Sequence, residues 1–166
     1  MDVFSYNVYY APSAEDDFEL VATVDGAENT TAIHQIGTTV AGCYAVTAVD
    51  TVGNESAFSN ITCIDNCPIY TLPNVFTPNG DGANDMYKPF PYRFIDRINL
   101  KIFNRWGQLV HESQDPDIQW MGTNLNGKDL AEGVYYYTCE VYEDRLNGVV
   151  KQPDILSGFI HIIRGQ

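Results

Sequence analysis

Basic side chains are missing from the first 67 residues of this chain. That stretch contains ten Asp or Glu residues, whereas the remainder contains twelve acidic residues and all nine Lys and Arg residues. The formal net charge is −13 at pH 7. A surface of this sign repels the phosphate backbone of nucleic acids. We therefore expect no nucleic-acid partner and regard divalent cations as the more natural ligands.

Long hydrophobic runs are also missing. No run approaches the roughly 18 apolar residues that a membrane-spanning helix requires, so no transmembrane segment is predicted. Residues 1–5 contain neither the basic nor the apolar region of a secretory signal peptide, so none is expected here. No helix-period pattern with caps is visible either.

The motifs of common enzyme classes are absent as well. There is no nucleophile elbow, metalloprotease motif, phosphate-binding loop or glycosidase-like carboxylate pair. The three histidines, His34, His111 and His161, lie in separate predicted strands, away from any motif serine, cysteine or carboxylate. We expect His34 and His161 to face solvent. The chain is interpreted as non-enzymatic, with no certain cofactor.

Strand formers and turn residues dominate what is present. Eleven tyrosines, frequent Val, Thr and Ile, and regularly spaced Gly, Asn and Asp residues predict an all-β protein. The first half predicts strands at residues 3–10, 18–24, 30–36, 42–50 and 57–62, with a turn at Gly53-Asn54. The second half predicts strands at residues 70–76, 97–104, 109–113, 133–142 and 157–164.

Residues 74–85 form a loop that is rich in oxygen ligands. Pro78 fixes its own φ, and Gly80 and Gly82 can adopt positive φ. The side chains of Asn79, Asp81, Asn84 and Asp85 are hard ligands of the kind that Ca²⁺ binds. Their spacing does not match an EF-hand loop. Calcium binding competes with a second interpretation, in which these side chains bond the backbone of the loop itself.

The same stretch carries a family resemblance. Residues 72–85 resemble the opening of the gliding-motility-associated C-terminal domain, the type B sorting domain of the type IX secretion system of Bacteroidota. Further motifs follow in the family's order: Ile102-Phe103-Asn104-Arg105-Trp106-Gly107-Gln108-Leu109-Val110, Trp120 with Gly122, Asn126-Gly127-Lys128, Gly133-Val134-Tyr135-Tyr136-Tyr137, and Gly158 to Arg164. Met121 departs from the pattern, because the family usually has an acidic residue after the tryptophan.

The resemblance implies a function for residues 67–166. They would form a non-catalytic signal domain that the type IX translocon or its carrier proteins recognise, so that a large passenger is exported and held at the cell surface. Transit of the periplasm would depend on the Sec system. The resemblance makes these residues the candidates for translocon recognition: Phe76, Pro78, Gly80, Arg105, Trp106, Gly107, Gly158 and Arg164. The alternative is a calcium-dependent adhesion or carbohydrate-binding module.

The N-terminal part resembles a fibronectin type III domain. The pattern Tyr44-x-Val46-x-Ala48-x-Asp50 is similar to the F strand of such a sandwich. Tyr44 would be its tyrosine-corner residue, with its hydroxyl bonded to backbone a few residues upstream; the alternative is an ordinary half-buried strand tyrosine. Only five strands fit before Cys63, fewer than the seven of a complete sandwich. We expect the chain to be cut from a longer protein, which leaves apolar strand faces and an open edge.

Cysteine spacing bears on the redox state. Cys63-x-x-x-Cys67 has no companion pair at zinc-finger distance. With the extracellular context that the family resemblance implies, a disulfide is favoured. If Gly53-Asn54 centres a hairpin, Cys43 and Cys63 lie opposite each other. Cys43–Cys67 is the competing pair, and Cys139 is expected to be a free thiol.

Two tryptophans lie in the second half. Trp106 and Trp120 could stack on a ligand together, but packing in or over the core is the favoured interpretation. Arg105 is expected to stack on an aromatic ring. The predicted fold is all-β with two sandwich-like domains. Residues 1–66 form an incomplete fibronectin type III-like sandwich, and residues 67–166 form a small Ig-like antiparallel sandwich.

Overall fold

The computed structural model describes residues 2–165, and strands are its only regular elements. Two compact units result. The first contains the chain up to Asn66 together with Arg145–Gly148, and the second contains Cys67–Asp144 and the chain from Val149 onward. Within the described residues, no helix is long and apolar enough to cross a membrane. The all-β prediction is confirmed.

The first unit is a single antiparallel sheet. Its strands are β1 (Val3–Ala11), β2 (Glu19–Asp25), β3 (Gly42–Asp50) and β4 (Thr62–Ile64), in the spatial order β2-β1-β3-β4. Strand β3 has the predicted bounds, because its alternating small and apolar side chains suit a half-buried strand. A single sheet leaves one of its apolar faces without a second sheet layer.

Two predicted strands of this unit were wrong. Residues 30–36 have the side-chain alternation of a strand but belong to no sheet. Residues 57–62 return along β3 with only isolated hydrogen bonds, such as Ser59 N–H to the Val46 carbonyl at 2.8 Å. Regular pairing resumes only at Thr62. A strand requires a hydrogen-bonded neighbour as well as a suitable sequence, and these two segments lack a regular one.

The exposed Glu55 carboxylate and a disulfide hold this sheet together. The Glu55 carboxylate accepts hydrogen bonds from the Thr47 hydroxyl, from Asn7 Nδ2 at 3.0 Å and from the Tyr9 hydroxyl at 2.7 Å. These bonds lower the pKa of Glu55 to about 2. Cys43 and Cys63 face each other across β3 and β4, with Cα atoms 4.0 Å apart, and are joined by a disulfide.

Tyr44 does not make the predicted tyrosine corner. Its hydroxyl lies 3.2 Å from Nδ1 of His34, so the partner is a side chain. Tyr10, the cross-strand neighbour of Tyr44, instead donates to the Ala41 carbonyl at 2.9 Å. His34 packs against both rings and is half-buried, so the prediction that it faces solvent was wrong.

The second unit contains eight strands. They are β5 (Ile69–Tyr70), β6 (Val75–Phe76), β7 (Tyr92–Arg93), β8 (Ile95–Phe103), β9 (Leu109–Ser113), β10 (Gly133–Arg145), β11 (Gly148–Lys151) and β12 (Leu156–Ile162). The main sheet has the order β6-β12-β10-β8-β9, with β11 paired to β10, and β5 pairs with β7. The tip of the β10–β11 hairpin, Arg145–Gly148, belongs to the first unit, where Leu146 N–H donates to the Asp65 carboxylate at 2.7 Å.

Several details of the second unit differ from the predictions. The strand expected at residues 70–76 is interrupted by Pro73, which cannot donate to a ladder, and becomes β5 and β6. Strands β7 and β11 were not predicted. Strand β6 runs parallel to β12, with Phe76 beside Ile162, so the antiparallel expectation fails at this edge.

The core of the second unit lies on one face of its main sheet. Its largest fully buried side chains come from loops as well as strands: Trp120, Tyr87, Phe76, Ile98, Leu100, Ile102, Ile160, Ile162, Val141 and Cys139. Burial raises the pKa of the Cys139 thiol to about 12, which keeps it protonated. Cys139 and the exposed Cys67 are free thiols.

Candidate functional site

The loop that follows β6 is organised by its own side chains. The Asp85 carboxylate accepts the N–H groups of Gly80 at 2.6 Å and Gly82 at 2.8 Å. Both glycines have positive φ, which turns their N–H groups inward toward this one carboxylate. Asp81 accepts the Ala83 N–H at 2.8 Å. The alternation of Gly with Asn and Asp thus encodes a compact loop.

The four candidate calcium ligands are all in this loop. Asn79 and Asp81 bond each other, since Asn79 Nδ2 donates to Asp81 at 3.0 Å. The hydrogen bond from Ala83 N–H, followed by that from Asn79, lowers the pKa of Asp81. Asn84 lies at positive φ and accepts the Thr77 N–H through its carbonyl. Among the described residues, no three His, Cys, Asp or Glu side chains form a group that could hold a metal ion.

Arg164 joins this loop to a second one. Its guanidinium donates to three backbone carbonyls, Leu130 at 3.1 Å, Pro78 at 3.0 Å and Gly122 at 3.0 Å. The Arg164 N–H donates to the Glu132 carboxylate at 2.5 Å. The rigid fork of an Arg side chain can satisfy several acceptors at once. Arg164 therefore positions residues 78 and 122–130 against the end of β12.

An aromatic cluster surrounds Trp120 in the core of the second unit. Trp120 is 1% exposed and donates its indole N–H to the Thr123 carbonyl at 2.8 Å. The Phe76 ring lies 5.4 Å from it, and the half-buried His111 ring stacks on it at 5.3 Å. Burial lowers the pKa of His111, so the neutral ring is favoured in this stack. Trp120 is a core residue, as the sequence favoured.

Trp106 is displayed rather than buried. It lies in the turn between β8 and β9, where its side chain is 77% exposed, and the Arg105 guanidinium lies over its ring at 4.7 Å. Asn104 Oδ1 accepts the N–H groups of Trp106 and Gln108, each at 3.0 Å. Gly107 takes the positive φ that closes the turn. The turn therefore presents an Arg–Trp pair on a well-defined backbone.

The same turn occurs elsewhere in the second unit. Asn124 Oδ1 accepts the N–H groups of Asn126 at 2.9 Å and Lys128 at 3.0 Å, and Gly127 has positive φ. Asn126 thus occupies the position that Trp106 occupies in the first turn. The two turns differ in what they present, because only the Asn104 turn displays a large aromatic ring.

Exposed aromatic side chains also lie on the outer face of the main sheet. Tyr136 in β10 is paired with Phe159 in β12 on one side and Phe103 in β8 on the other. Tyr136 and Phe159 are both about half exposed. We call these three side chains the aromatic row.

The positive charges of Arg105 and Arg164 both act on Tyr135, where they oppose the rise in pKa that burial causes.

The eight recognition candidates divide by exposure. Phe76 and Pro78 are buried, and Arg164 is half-buried in its carbonyl contacts. Gly80 and Gly107 serve backbone geometry, and a Cβ on Gly158 would lie only 2.9 Å from the Tyr137 hydroxyl. Only Arg105 and Trp106 present side chains outward. The aromatic row was missed, although the alternation of β10 and β12 could have indicated it.

Comparison with known proteins gives one family match. Residues 70–162 match the family described as CHU_C Type IX secretion signal domain. Among solved structures, the chain is similar to one described as "Crystal structure of tetra-tandem repeat in extending region of large adhesion protein", with 15% sequence identity and a TM-score of 0.38. The alignment covers 96% of this chain but 42% of that one, so the chain spans less than half its length. No curated protein sequence matches the chain.

Proposed function

The chain belongs to the CHU_C Type IX secretion signal domain family, and from this membership we propose that the Arg105–Trp106 turn is the part of the domain that the secretion machinery contacts. The matched domain is a non-catalytic sorting signal for secretion and interacts with the type IX system. Such a signal implies export and attachment at the cell surface. The partner that we propose is the translocon or one of its carrier proteins, reached after Sec-dependent transit of the periplasm of a Bacteroidota cell.

The exposure of Trp106 is the observation that carries this proposal. A tryptophan in a small domain is usually buried, as Trp120 is, because a large ring gains about 1.5–3 kcal/mol or more from burial. Trp106 is exposed on a turn whose backbone is held by Asn104. Trp and Arg are the residue types that dominate binding energy at protein interfaces. A rigid exposed Arg–Trp pair is therefore suited to a partner surface.

The aromatic row supports the same assignment. Phe103 ends β8, the strand that leads into the Arg105–Trp106 turn, and Tyr136 and Phe159 continue from it across β10 and β12. Contiguous exposed apolar surface commonly marks an interaction site. The calcium-dependent adhesion alternative has no comparable support, because Asp81 and Asp85 bond the backbone of their own loop.

Export of a fluorescent passenger tests the proposal. The passenger carries a Sec signal peptide and ends in the full chain, and it is expressed in a Bacteroidota host with an intact type IX system. We expect fluorescence at the surface or in the medium with the wild-type chain. The Trp106→Ala variant should accumulate in the periplasm, while Asn126→Ala, at the equivalent position of the matching turn, should be exported normally.

One further fusion and one control strain separate the contact site from the sorting function. A fusion without residues 2–66 should still be exported, because the family match begins at residue 70, after the deleted residues. Export of Trp106→Ala at the wild-type rate would rule out the turn as the contact but leave the sorting function intact. Equal export in a strain that lacks the translocon would contradict the sorting role for this chain.

A further inference from the structure

The segment between β6 and β7 contains a stretch whose side chains alternate between buried and exposed. Tyr87 and Pro89 are buried. Met86, Lys88 and Phe90 are exposed. Lys88 and Phe90 each precede a proline, which favours an extended backbone at both positions. Because successive side chains of an extended chain point to opposite sides, the three exposed side chains lie together on the side that faces away from the core.

Hydrogen bonds from two other segments hold this backbone in place. Tyr87 N–H donates to the Trp120 carbonyl at 2.7 Å, and Trp120 N–H donates to the Tyr87 carbonyl at 3.2 Å. Phe90 N–H donates to the Thr71 carbonyl at 2.9 Å. Both Tyr87 and Trp120 are fully buried core residues. The exposed side chains are thus carried on a backbone that is anchored in the core of the second unit.

The bridge between Tyr87 and Trp120 brings a second methionine to the same side. In an antiparallel pair, the residues next to a bridge lie opposite each other, so Met86 is the neighbour of Met121. The exposed fractions are 45% for Met86, 54% for Met121 and 81% for Phe90. We call the following four side chains the methionine patch: Met86, Lys88, Phe90 and Met121.

The composition of the methionine patch is typical of a protein interface. Aromatic residues and Met are enriched at such interfaces, and the flexible, polarizable Met side chain adapts to the shape of a partner. An anchored backbone under Phe90 lowers the conformational entropy that is lost on binding. A cluster of exposed large apolar side chains around one charge therefore favours contact with another molecule.

Charge indicates what this molecule presents. Residues 86–95 contain Lys88 and Arg93 but no Asp or Glu, in a chain whose formal net charge is −13. Among the residues that the structure describes, no ion pair involves Lys88. The Lys88 ammonium is therefore available to a carboxylate of the partner, which gives the contact electrostatic complementarity.

A protein fits the methionine patch better than an anionic membrane does. A membrane approaches the whole molecule, whose net charge of −13 is repelled by anionic lipid headgroups. A single lysine adds too little attraction to offset this repulsion. A protein can instead place one carboxylate beside Lys88 and keep its other acidic groups farther away, where salt screens them.

We propose that the methionine patch binds an extended acidic segment of a partner protein. Two apolar side chains of this segment, four residues apart, cover Met86 and Phe90. A carboxylate midway between them pairs with Lys88. Side chains at every second position of an extended chain lie on one face, so the segment has the same spacing as the patch. The proposal is independent of the role of the Arg105–Trp106 turn.

Nuclear magnetic resonance of the full chain with ¹³C-labelled methionine methyl groups tests this proposal. The chain contains three methionines, so Met86 and Met121 report on the patch and Met1 gives a reference signal. The probe is a synthetic peptide, acetyl-Ser-Leu-Thr-Glu-Thr-Leu-Ser-amide. We expect saturable shifts of the Met86 and Met121 signals with a dissociation constant of about 1 mM, and no shift of the reference signal.

A charge reversal tests the pairing with Lys88. Lys88→Glu should weaken binding of this peptide by about fivefold, the scale of an exposed ion pair, and should strengthen binding of a peptide with Lys in place of Glu. Lys101→Glu changes the net charge equally on the exposed side of β8, so it should leave both affinities unchanged. Phe90→Ser should weaken binding of both peptides. All three positions are exposed, and far-UV circular dichroism checks that the variants fold.

Each of three results would overturn the proposal. The first is the absence of saturable shifts of the Met86 and Met121 signals with the acidic peptide. The second is that Lys88→Glu or Phe90→Ser binds the acidic peptide as wild type does. The third is a shift with phosphatidylglycerol vesicles, or on raising the concentration of the chain alone, without a response to peptide. That result would assign the patch to a membrane or to a second copy.

Discussion

Gly122 lies in the loop between β9 and β10, where the chain passes against the core of the second unit. Its φ is +75°, and a Cβ there would lie 3.2 Å from the Phe76 ring and 3.3 Å from the Arg164 guanidinium. The carbonyl of Gly122 is one of the three acceptors of Arg164. A residue without a side chain is needed for both reasons, since it permits the left-handed backbone and the close approach of Phe76.

We predict that Gly122→Ala destabilises the second unit more than Gly127→Ala. Gly127 has nearly the same φ, +76°, but a Cβ there meets no atom within 4 Å. Gly127→Ala should cost only the left-handed conformation, about 1–2 kcal/mol. Gly122→Ala should cost about 1–3 kcal/mol more, because it overpacks the core. Urea denaturation monitored by tryptophan fluorescence measures the free energy of unfolding of each variant, since both tryptophans lie in the second unit. Equal losses would refute the packing argument.

The two faces of strand β12 have different environments, because one packs in the core and the other is exposed. Ile160 and Ile162 are fully buried in the core, while Phe159 is about half exposed and belongs to the aromatic row. Ile163, just beyond the strand, is also exposed. Phe159 and Ile163 therefore lie outside the core, although both are apolar.

We predict that Ile160→Ala costs about 2–5 kcal/mol, the range for a large-to-small change in a packed core. Phe159→Ala should cost no more than about 1 kcal/mol, because it removes only cross-strand contacts with Tyr136 on an open face. The free energies of unfolding can be compared by the same fluorescence titration. A Phe159→Ala loss as large as that of Ile160→Ala would mean that the outer face is covered in solution.

At the scale of the whole molecule, the two units are stabilised by different means. The second has a large core that includes Trp120, Tyr87 and Phe76. The first has a single sheet whose fully buried hydrophobic side chains are small, such as Ala11, Ala45 and Cys43. A domain with little buried apolar surface depends more on covalent links. The Cys43–Cys63 disulfide provides such a link within the first unit.

We predict that replacing both Cys43 and Cys63 by Ala destabilises the first unit by about 3 kcal/mol, as expected for a closed loop with a sequence separation of 20 residues. Amide exchange in β1 and β3 should accelerate. The tryptophan fluorescence transition should shift much less, because both tryptophans are in the other unit. The Cys139→Ala variant, which removes a buried free thiol of the second unit, should instead shift the tryptophan fluorescence transition. Amide exchange in β1 and β3 should change much less. A shared loss in both signals would show that the two units unfold as one.

The sequence by itself determined the local features of this protein. Strands β3 and β9 have their predicted bounds, because side-chain alternation is a property of consecutive residues. The turn at Gly53-Asn54 placed Cys43 opposite Cys63, since a hairpin register follows from its turn. The ordered motifs of the second half identified the family. For the Asn and Asp side chains at residues 79–85, one of the two interpretations was a loop that bonds its own backbone.

Only the tertiary structure decided what depends on distant partners. The parallel pairing of β6 with β12, the three carbonyls that Arg164 joins and the closeness of Gly122 to Phe76 connect positions far apart in the chain. Residues 30–36 also depend on a distant partner, and without one they form no strand. Their sequence favours a strand, but within the described chain no neighbour pairs with them. Alternation is local, whereas a hydrogen-bonded ladder requires a second segment, and that is why a strand-like sequence can remain without a sheet.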